Sequence, residues 1–208
     1  MRRSSLAVLL SGFLLVTACT SAEDEPTPEP APETSAEAPS PVGNTPDFTA
    51  PAIGGPTTFI DTNNGFEIDH PKNWKMHQEG QENCPTTYCW YAPAQNGQVP
   101  ASIMVTVATN TGENLQISWN TVRQLLTSSW GVKPKTVPGT QGNTEMAGEN
   151  AKTAEYTLDW GLIPAQMIQT MALAPDGTPM MVTGISAESI WGDVESTFAD
   201  ATASFAFS

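Results

Sequence analysis

The chain has 208 residues, and its 22 Asp and Glu against 8 Lys and Arg give a formal charge of −14. Nucleic acid requires a basic footprint for its phosphates, and anionic lipid attracts basic segments, so this charge excludes nucleic acid as a partner and direct adsorption to an anionic membrane. The length accommodates one hydrophobic core of ordinary size together with non-globular segments.

The first eighteen residues have the pattern of an export signal. Arg2 and Arg3 precede an apolar run at residues 6–16, which ends at a small-residue cleavage site. The run is shorter than the ~20 residues that a membrane-spanning helix needs, so we expect it to be removed. The sequence predicts a signal peptide over residues 1–18.

Cys19 stands directly after this cleavage site. Residues 16–19, Val-Thr-Ala-Cys, resemble the bacterial lipobox, whose cysteine is acylated and becomes the new N-terminus. The resemblance implies lipidation of Cys19 and a protein held on the outer face of the cytoplasmic membrane, touching the membrane through its lipid anchor alone. The alternative is an ordinary secreted protein in which Cys19 is unmodified.

Residues 19–56 differ sharply in composition from the remainder of the chain. Prolines recur, six acidic residues lie between positions 23 and 37, and large apolar side chains are almost absent. Such a segment cannot bury enough apolar surface to fold, and proline and like-charge repulsion keep it extended. The sequence predicts a lipidated, disordered tether over 19–56. One globular domain is predicted over 57–208, where fifteen acidic and six basic residues give a formal charge of −9.

The domain begins with the pattern of a β-hairpin. Residues 57–60 and 66–70 flank a turn that contains Gly65, which takes positive φ readily, and apolar and polar residues alternate in the second strand. Glu67 and Asp69 share the polar face of that strand. A carboxylate pair at this spacing is able to bind a cation, but the solvated side of a half-buried strand needs no such function.

Cys84 and Cys89 are the two remaining cysteines, and export implies an oxidising compartment. The sequence predicts a disulfide between them, in a loop that presents Trp90 and Tyr91. Closing so short a loop removes unfolded-chain entropy worth about 2 kcal/mol, so its predicted use is to stiffen that loop. Rigid aromatic side chains lose little entropy on binding, which makes Trp90 and Tyr91 the candidate partner-binding residues. The alternative is that both pack inward.

A metal site in this region would have to recruit His70 and His77, the only histidines of the chain. The cysteine spacing is not Cys-x-x-Cys, and no close pair of ligands has the usual zinc spacing. We therefore expect no metal site and no cofactor.

The remaining elements are typical of an α+β fold. Residues 101–108 alternate as a strand, and apolar residues then recur at helical spacing from Leu115 to Trp130, with Asn114 as a cap and Gly131 as a stop. Two amphipathic helices must bury their apolar faces, so we expect an antiparallel β-sheet sandwiched between helices. The later predicted elements are strands at 154–160, 166–172 and 180–185, a helix after Ser189 and a short strand at 204–207.

Residues 64–74, Asn-Gly-Phe-Glu-Ile-Asp-His-Pro-Lys-Asn-Trp, together with the middle helix, the long hairpins and the last strand, resemble the PsbP/Mog-like superfamily. Within it, residues 57–208 and the lipidated leader resemble the LpqN-type lipoproteins of actinobacteria. The resemblance implies an antiparallel sheet between helices, with Trp74 at the sheet edge. It also implies a non-enzymatic accessory or binding role beside a membrane-embedded or envelope protein complex, such as an envelope-biogenesis exporter or a respiratory assembly.

Catalytic motifs are absent from the sequence. Gly-x-Ser-x-Gly, Ser-x-x-Lys, phosphate-binding glycine loops and His-Glu-x-x-His do not occur. Asp193 and Glu195 lie on different faces of their predicted helix, so they form no ready acid/base pair. We expect a protein that is not an enzyme, and the weaker alternative is an envelope hydrolase.

Two further binding hypotheses come from the apolar residues. Met167, Met171, Met180 and Met181 fall in one predicted hairpin, and thioether sulfur is a ligand for copper(I), although core packing is the more ordinary use of methionine. The tryptophans and methionines also suit a carrier of a lipid or small apolar ligand, in which a helix lifts from the sheet to open a cavity.

Overall fold

The computed structural model describes residues 46–81, 84–109, 114–130, 134–160 and 163–208. The predicted signal peptide, Cys19 and most of the predicted tether lie outside these ranges. The elements in chain order are β1 Pro56–Asp61, β2 Phe66–Pro71, β3 Lys75–Gln78, β4 Tyr88–Tyr91, β5 Ala101–Val107, α1 Leu115–Trp130, β6 Lys135–Thr136, β7 Gly142–Met146, β8 Glu149–Trp160, β9 Ile163–Leu173, β10 Pro179–Ala187, a 3-10 turn Glu188–Ile190, α2 Trp191–Ser204 and β11 Ala206–Phe207.

Eight strands form one antiparallel sheet in the order β3-β4-β5-β10-β9-β8-β6, and β7 pairs with the first half of β8. The long hairpins lie at its centre, where β9 pairs with β8 on one side and with β10 on the other. Gly177 takes a φ of 87° in the turn between β9 and β10, which confirms the predicted hairpin there.

Each face of this sheet carries its own apolar core, because successive residues of a strand point to opposite sides. On one face, called the α1 face below, Trp119 and Val122 of α1 pack against side chains of the central strands. On the other, called the α2 face, Val194, Phe198 and Ala201 of α2 are buried. The predicted α+β architecture, an antiparallel sheet between helices, is therefore confirmed.

The predicted first hairpin forms, but it belongs to a separate three-stranded sheet, β1-β2-β11. Gly65 closes its turn with a φ of 71°. Phe66 is fully buried and stacks on Phe205 with ring centroids 5.3 Å apart. Ile68 joins the same α2-face core, so this small sheet covers part of the α2 face together with α2.

Helix α1 begins and ends where the sequence predicts. The Oδ1 atom of Asn114 accepts the backbone N–H of Ile117 at 3.2 Å, which satisfies one of the donors at the start of the helix. The last helical residue is Trp130, directly before the predicted stop. Among the helices of the described ranges, none combines the length and hydropathy needed to cross a bilayer.

The segment before β1 corrects the predicted boundary between tether and domain. Phe48 is 4% exposed and belongs to the α2-face core. The side-chain amide of Gln95 accepts the N–H of Thr49 at 3.0 Å and donates to its carbonyl at 2.8 Å. The side-chain amide of Asn73 likewise accepts the N–H of Gly54 and donates to the carbonyl of Ala52. Residues 46–55 are thus part of the folded domain. The sequence did not predict this, because the segment has no apolar pattern and is held by hydrogen bonds from side chains far away in the chain.

Candidate functional site

The predicted disulfide is present and joins Cys84 to Cys89 with a Cα–Cα distance of 5.6 Å. Both cysteines are buried on the α1 face. Between them, the hydroxyl of Thr86 donates to the carbonyl of Tyr88 at 3.0 Å. The disulfide therefore stabilises the connection into β4 at a buried position, and it does not lie in an exposed loop.

Removing this bond has a predictable cost. We expect the Cys84→Ala, Cys89→Ala double variant to lose about 2 kcal/mol of unfolding free energy, because the unfolded chain regains the entropy of a short loop. Urea denaturation of the full chain measures this loss. Wild-type protein unfolded in the presence of reductant is the matched control and should lose the same amount. A loss below about 0.5 kcal/mol in both would contradict this account.

Trp90 does not lie in a loop, and its predicted role as a contact residue is wrong. It is a residue of β4, fully buried on the α2 face, with its ring 5.4 Å from Phe59 and 5.0 Å from His70. Both edges of β4 are hydrogen-bonded, one to β3 and the other to β5. The three-stranded sheet packs over its α2 face and buries Trp90. Sequence reasoning missed β3 and β4 because each has only four residues.

Tyr91 faces the other way, and the structure leaves it half-buried. Its ring lies 5.2 Å from the ring of His77, and it is directly opposite Lys75 in the edge strand β3. Burial raises the pKa of Tyr91 to about 12.

The two histidines do not converge on a common site. His70 packs on Trp90 from the small sheet, and burial lowers its pKa below the usual range, against opposing effects of the Pro71 carbonyl and the Asp69 charge. His77 faces the α1 side opposite Cys89. Within the described ranges, no group of three or more His, Cys, Asp or Glu side chains is placed to hold a metal ion.

Of the two carboxylates on the polar face of the first hairpin, Asp69 has a hydrogen-bond partner. Asp69 accepts the hydroxyl of Thr58 at 2.6 Å, and Glu67 lies on the same strand opposite Ile60. Asp193 and Glu195 are both exposed on α2. Glu67 and Asp69 lie on β2, and Asp193 and Glu195 lie on α2.

The four methionines of the copper hypothesis are divided between the two faces of the sheet. Met167, Met171 and Met181 lie in the α1-face core, and Met180 lies in the α2-face core. None is more than 2% exposed. Adjacent residues of a strand cannot share a face, so four thioethers do not meet, and these side chains fill the core.

A recess that the sequence did not reveal opens beside α1. It has a volume of about 350 Å³ and is lined by Trp119, Gln141, Gly142, Asn143 and Lys152; it is called the Trp119 recess below. The Nζ atom of Lys152 donates to the Oδ1 atom of Asn143 across the β7–β8 pair at 3.1 Å. The exposed, polar strand β7 has no apolar alternation, so nothing in the sequence marked this wall.

Arg123 extends the polar character of this region. It lies one helical turn after Trp119, with its guanidinium carbon 5.5 Å from the Trp119 ring and 4.8 Å from the Tyr156 ring. Burial raises the pKa of Tyr156, and the positive charge of Arg123 opposes that shift. The middle of α1 therefore carries a cation within cation–π distance of two aromatic rings.

Comparison with known proteins identifies the fold. No family model matches the chain, and no curated protein matches it. The solution structure of the cyanobacterial PsbP protein CyanoP from Synechocystis sp. PCC 6803 superposes with a TM-score of 0.55 and 14% identity, over 78% of this chain and 98% of that one. A mutant of the protein Mog1 gives 0.52 and 11%, over 74% and 96%. LpqN of Mycobacterium tuberculosis, which is involved in cell envelope biogenesis, gives 0.49 and 10%, over 74% and 85%.

Likeness at such low identity establishes the shared architecture. The chain has the fold of the PsbP/Mog-like superfamily, in agreement with the resemblance seen in residues 64–74.

Proposed function

We propose that the protein is a non-catalytic accessory module that works outside the cytoplasmic membrane and binds a membrane-embedded or envelope protein complex. Acyl chains on Cys19 hold it at the membrane surface, and no cofactor takes part. The sequence resemblance to LpqN-type lipoproteins extends this proposal to an envelope-biogenesis exporter or a respiratory assembly as the partner.

The observation that carries the proposal is the disulfide between Cys84 and Cys89. Disulfides persist in oxidising compartments and are rare in the cytosol. The same chain begins with the charge and apolar pattern of an export signal that ends at Cys19. Both features point to the same side of the membrane, although they lie in different parts of the chain.

A binding role is supported by the structural roles of three ionisable side chains. Asp61 holds the first hairpin turn, Asp69 bonds to Thr58 and His70 packs on Trp90. Each of these groups contributes to the fold. Tethering raises the local concentration of the domain beside its partner, so a modest contact surface suffices for association.

Tyr91 is the contact residue that we propose. It is half-buried and braced by the His77 ring, so it loses little conformational freedom when a partner covers it. Its neighbour β3 is a four-residue edge strand with three exposed positions. A partner that reaches Tyr91 therefore also meets the open edge of the large sheet.

Photocrosslinking in the native host tests the anchor and the surface together. Tyr91 is replaced in the full chain by p-benzoylphenylalanine, a photoreactive aromatic residue. We expect illumination to yield a covalent adduct with a membrane or envelope protein, identified by mass spectrometry. Combined with Cys19→Ser, the yield should fall roughly tenfold or more, because the released chain loses its effective concentration at the membrane.

The same photoreactive residue at Asp193, on the exposed side of α2, is the matched control and should not give that adduct. Equal adducts from both positions would contradict the proposed surface. An undiminished yield in the Cys19→Ser chain would contradict the proposed anchor.

A further inference from the structure

The three-stranded sheet ends at β1, whose outer edge is open. Among the strands that the structure describes, β1 pairs with β2 alone. Residues 56–58 and Ile60 are exposed. An open strand edge presents a row of unpaired N–H and C=O groups to any extended chain that comes alongside it. β1 is therefore a position at which a strand from another molecule can add to the sheet.

The register shows which backbone groups of β1 point outward. Hydrogen-bonded and non-hydrogen-bonded pairs alternate along an antiparallel ladder. The N–H of Lys72 donates to the carbonyl of Gly55 at 3.1 Å, so every second residue from Gly55 onward directs its backbone groups at β2. Thr58 and Ile60 have the opposite phase and direct theirs away from β2. Two N–H donors and two carbonyl acceptors thus line the open edge.

β1 lacks the features that commonly protect a strand edge. Protected edges are very short, carry a lysine or another charge, or contain a proline or a bulge. In this protein β6 and β11 have two residues each, and β3 begins with Lys75. In β1 the run from Thr57 to Ile60 is uncharged, and the side of Ile60 that faces solvent leaves 57% of the residue exposed. Pro56 removes a donor only at the start of the strand.

The outer face of this sheet supplies charge beside the open edge. Phe59 points inward, with its ring against the aromatic rings of β4. Thr58 and Ile60 therefore point outward, as do their cross-strand partners Asp69 and Glu67. The hydroxyl of Thr58 donates to Asp69 at 2.6 Å, which holds this carboxylate beside β1. An added strand would lie ~4.8 Å from β1, so a lysine or arginine opposite Thr58 could reach Asp69.

Two occupants from this protein itself fit the edge poorly. Residues 19–45 contain six acidic residues, no basic residue and recurrent prolines, which have no N–H to add to a ladder. A second copy pairing through its own β1 would bring another Asp69 and Glu67 to the same face, and residues 57–208 of each copy carry a formal charge of −9. Like charges oppose both arrangements, so the complementary occupant is a basic segment of a different protein.

We propose that β1 binds an extended segment of another protein, which adds to this sheet as an antiparallel strand. The segment has an apolar residue opposite Ile60 and, two positions later, a lysine or arginine opposite Thr58. Its backbone exchanges hydrogen bonds with both residues, and its basic side chain pairs with Asp69. In strand addition, main-chain bonds give affinity and alternate side chains give specificity. β1 lies on the α2 side of the large sheet and Tyr91 on the α1 side, so the two proposed surfaces are tested separately.

Amide hydrogen exchange, followed by ¹⁵N–¹H NMR of the full chain in mild detergent, reports on each donor of β1. Without a ligand, Thr57 and Phe59 should exchange slowly, and Thr58 and Ile60 rapidly. The probe is the synthetic peptide acetyl-Ser-Thr-Ile-Thr-Lys-Thr-Ser-amide. At saturating peptide we expect exchange at Thr58 and Ile60 to slow roughly tenfold, because both N–H groups gain an acceptor.

Modified peptides separate strand addition from general attraction. N-methylation of the lysine removes the N–H that donates to the Thr58 carbonyl and should weaken binding roughly tenfold. N-methylation of the threonine before it is the matched control, since that N–H points away from β1. The peptide with glutamate in place of lysine should also bind roughly tenfold more weakly, because it meets Asp69 with a like charge.

Charge variants of the protein locate the contact. Asp69→Asn should weaken the lysine peptide roughly threefold, as expected for a partly exposed ion pair. Asp193→Asn removes an equal charge from the exposed side of α2 and should leave the affinity unchanged. Slow exchange of Thr58 and Ile60 in the absence of peptide would overturn the proposal, because the tether or a second copy would then already occupy the edge. Equal binding of the lysine and glutamate peptides, or no protection by either, would also overturn it.

Discussion

The Gly184→Ala variant is expected to lose about 3 kcal/mol of unfolding free energy, because a methyl group there overlaps the ring of Phe198. Gly184 lies in β10 on the α2 face, directly beneath α2. A Cβ atom at this position would stand 2.7 Å from both Cβ and Cδ1 of Phe198. Phe198 is 1% exposed and cannot swing into solvent, so the helix itself must move. Urea denaturation of the full chain gives the free energy.

Two comparisons separate this clash from a general effect of replacing glycine. Gly192→Ala, at an exposed position of α2 with no neighbour within 4 Å, should be neutral or stabilise by up to about 1 kcal/mol through helix propensity. Adding Phe198→Leu to Gly184→Ala should cost less than the sum of the single changes, with a coupling of roughly 1 kcal/mol or more. A Gly184→Ala protein as stable as wild type would refute the proposed helix position.

The second large effect concerns Asp61, whose replacement by alanine should destabilise the domain by about 3 kcal/mol. This carboxylate is 4% exposed. It accepts the backbone N–H groups of Asn63 at 2.9 Å and Asn64 at 3.1 Å, and the hydroxyl of Tyr88 at 2.7 Å. Its loss leaves the buried Tyr88 hydroxyl of β4 and two backbone N–H groups of the first hairpin turn without this acceptor. Tyr88→Phe removes one of these bonds alone and should cost about 1 kcal/mol.

The same bonds determine how stability changes with pH. Burial alone would raise the pKa of Asp61, but hydrogen bonds from Asn64, Tyr88 and Asn63 outweigh it and hold the pKa below its usual value. A pKa that is lower in the folded state gives stability that is complete above about pH 4 and is lost as the pH falls through the folded value. Denaturation measured from pH 6 to pH 2 should show this loss in wild type and a smaller one in Asp61→Asn.

Glu67→Gln is the matched control, since it neutralises a carboxylate of the same hairpin that makes no side-chain hydrogen bond to any part of the chain that the structure describes. It should change stability by less than about 0.5 kcal/mol. An Asp61→Asn protein with the same acid sensitivity as wild type would show that other groups govern it.

Local patterns were sufficient for the helices and the long strands. The spacing of Leu115, Trp119 and Val122 located α1, and alternation located the second half of β8. The hairpin turn at Gly177 located the centres of β9 and β10. The recognisable segment at 64–74 is also explained by local needs. Gly65 provides the positive φ of the turn, and the Oδ1 atom of Asn73 accepts the backbone N–H of Gly54. Trp74 is buried in the α2-face core, with its ring 6.4 Å from the ring of Phe198.

The features that could not be predicted from the sequence depend on contacts between segments that are far apart in the chain. Trp90 is buried because β1 and β2 fold over β4, and the alternation within a four-residue strand carries no sign of that second layer. The Trp119 recess needs α1, β7 and β8 at once. Trp119 was identified correctly as part of a buried helical face, but its unpartnered indole N–H is visible only in three dimensions.

The hydrogen bonds of Gln95 and Asn73 to residues 46–55 also bear on the proposed tether. Under the proposed acylation of Cys19, a tether that ends where the folded domain begins would run from Cys19 to Thr45, which is 27 residues. At ~3.1 Å per residue such a segment would reach at most roughly 80 Å, compared with roughly 120 Å for all of residues 19–56. The proposed anchor would therefore keep the domain closer to the bilayer than the boundary predicted from the sequence implies.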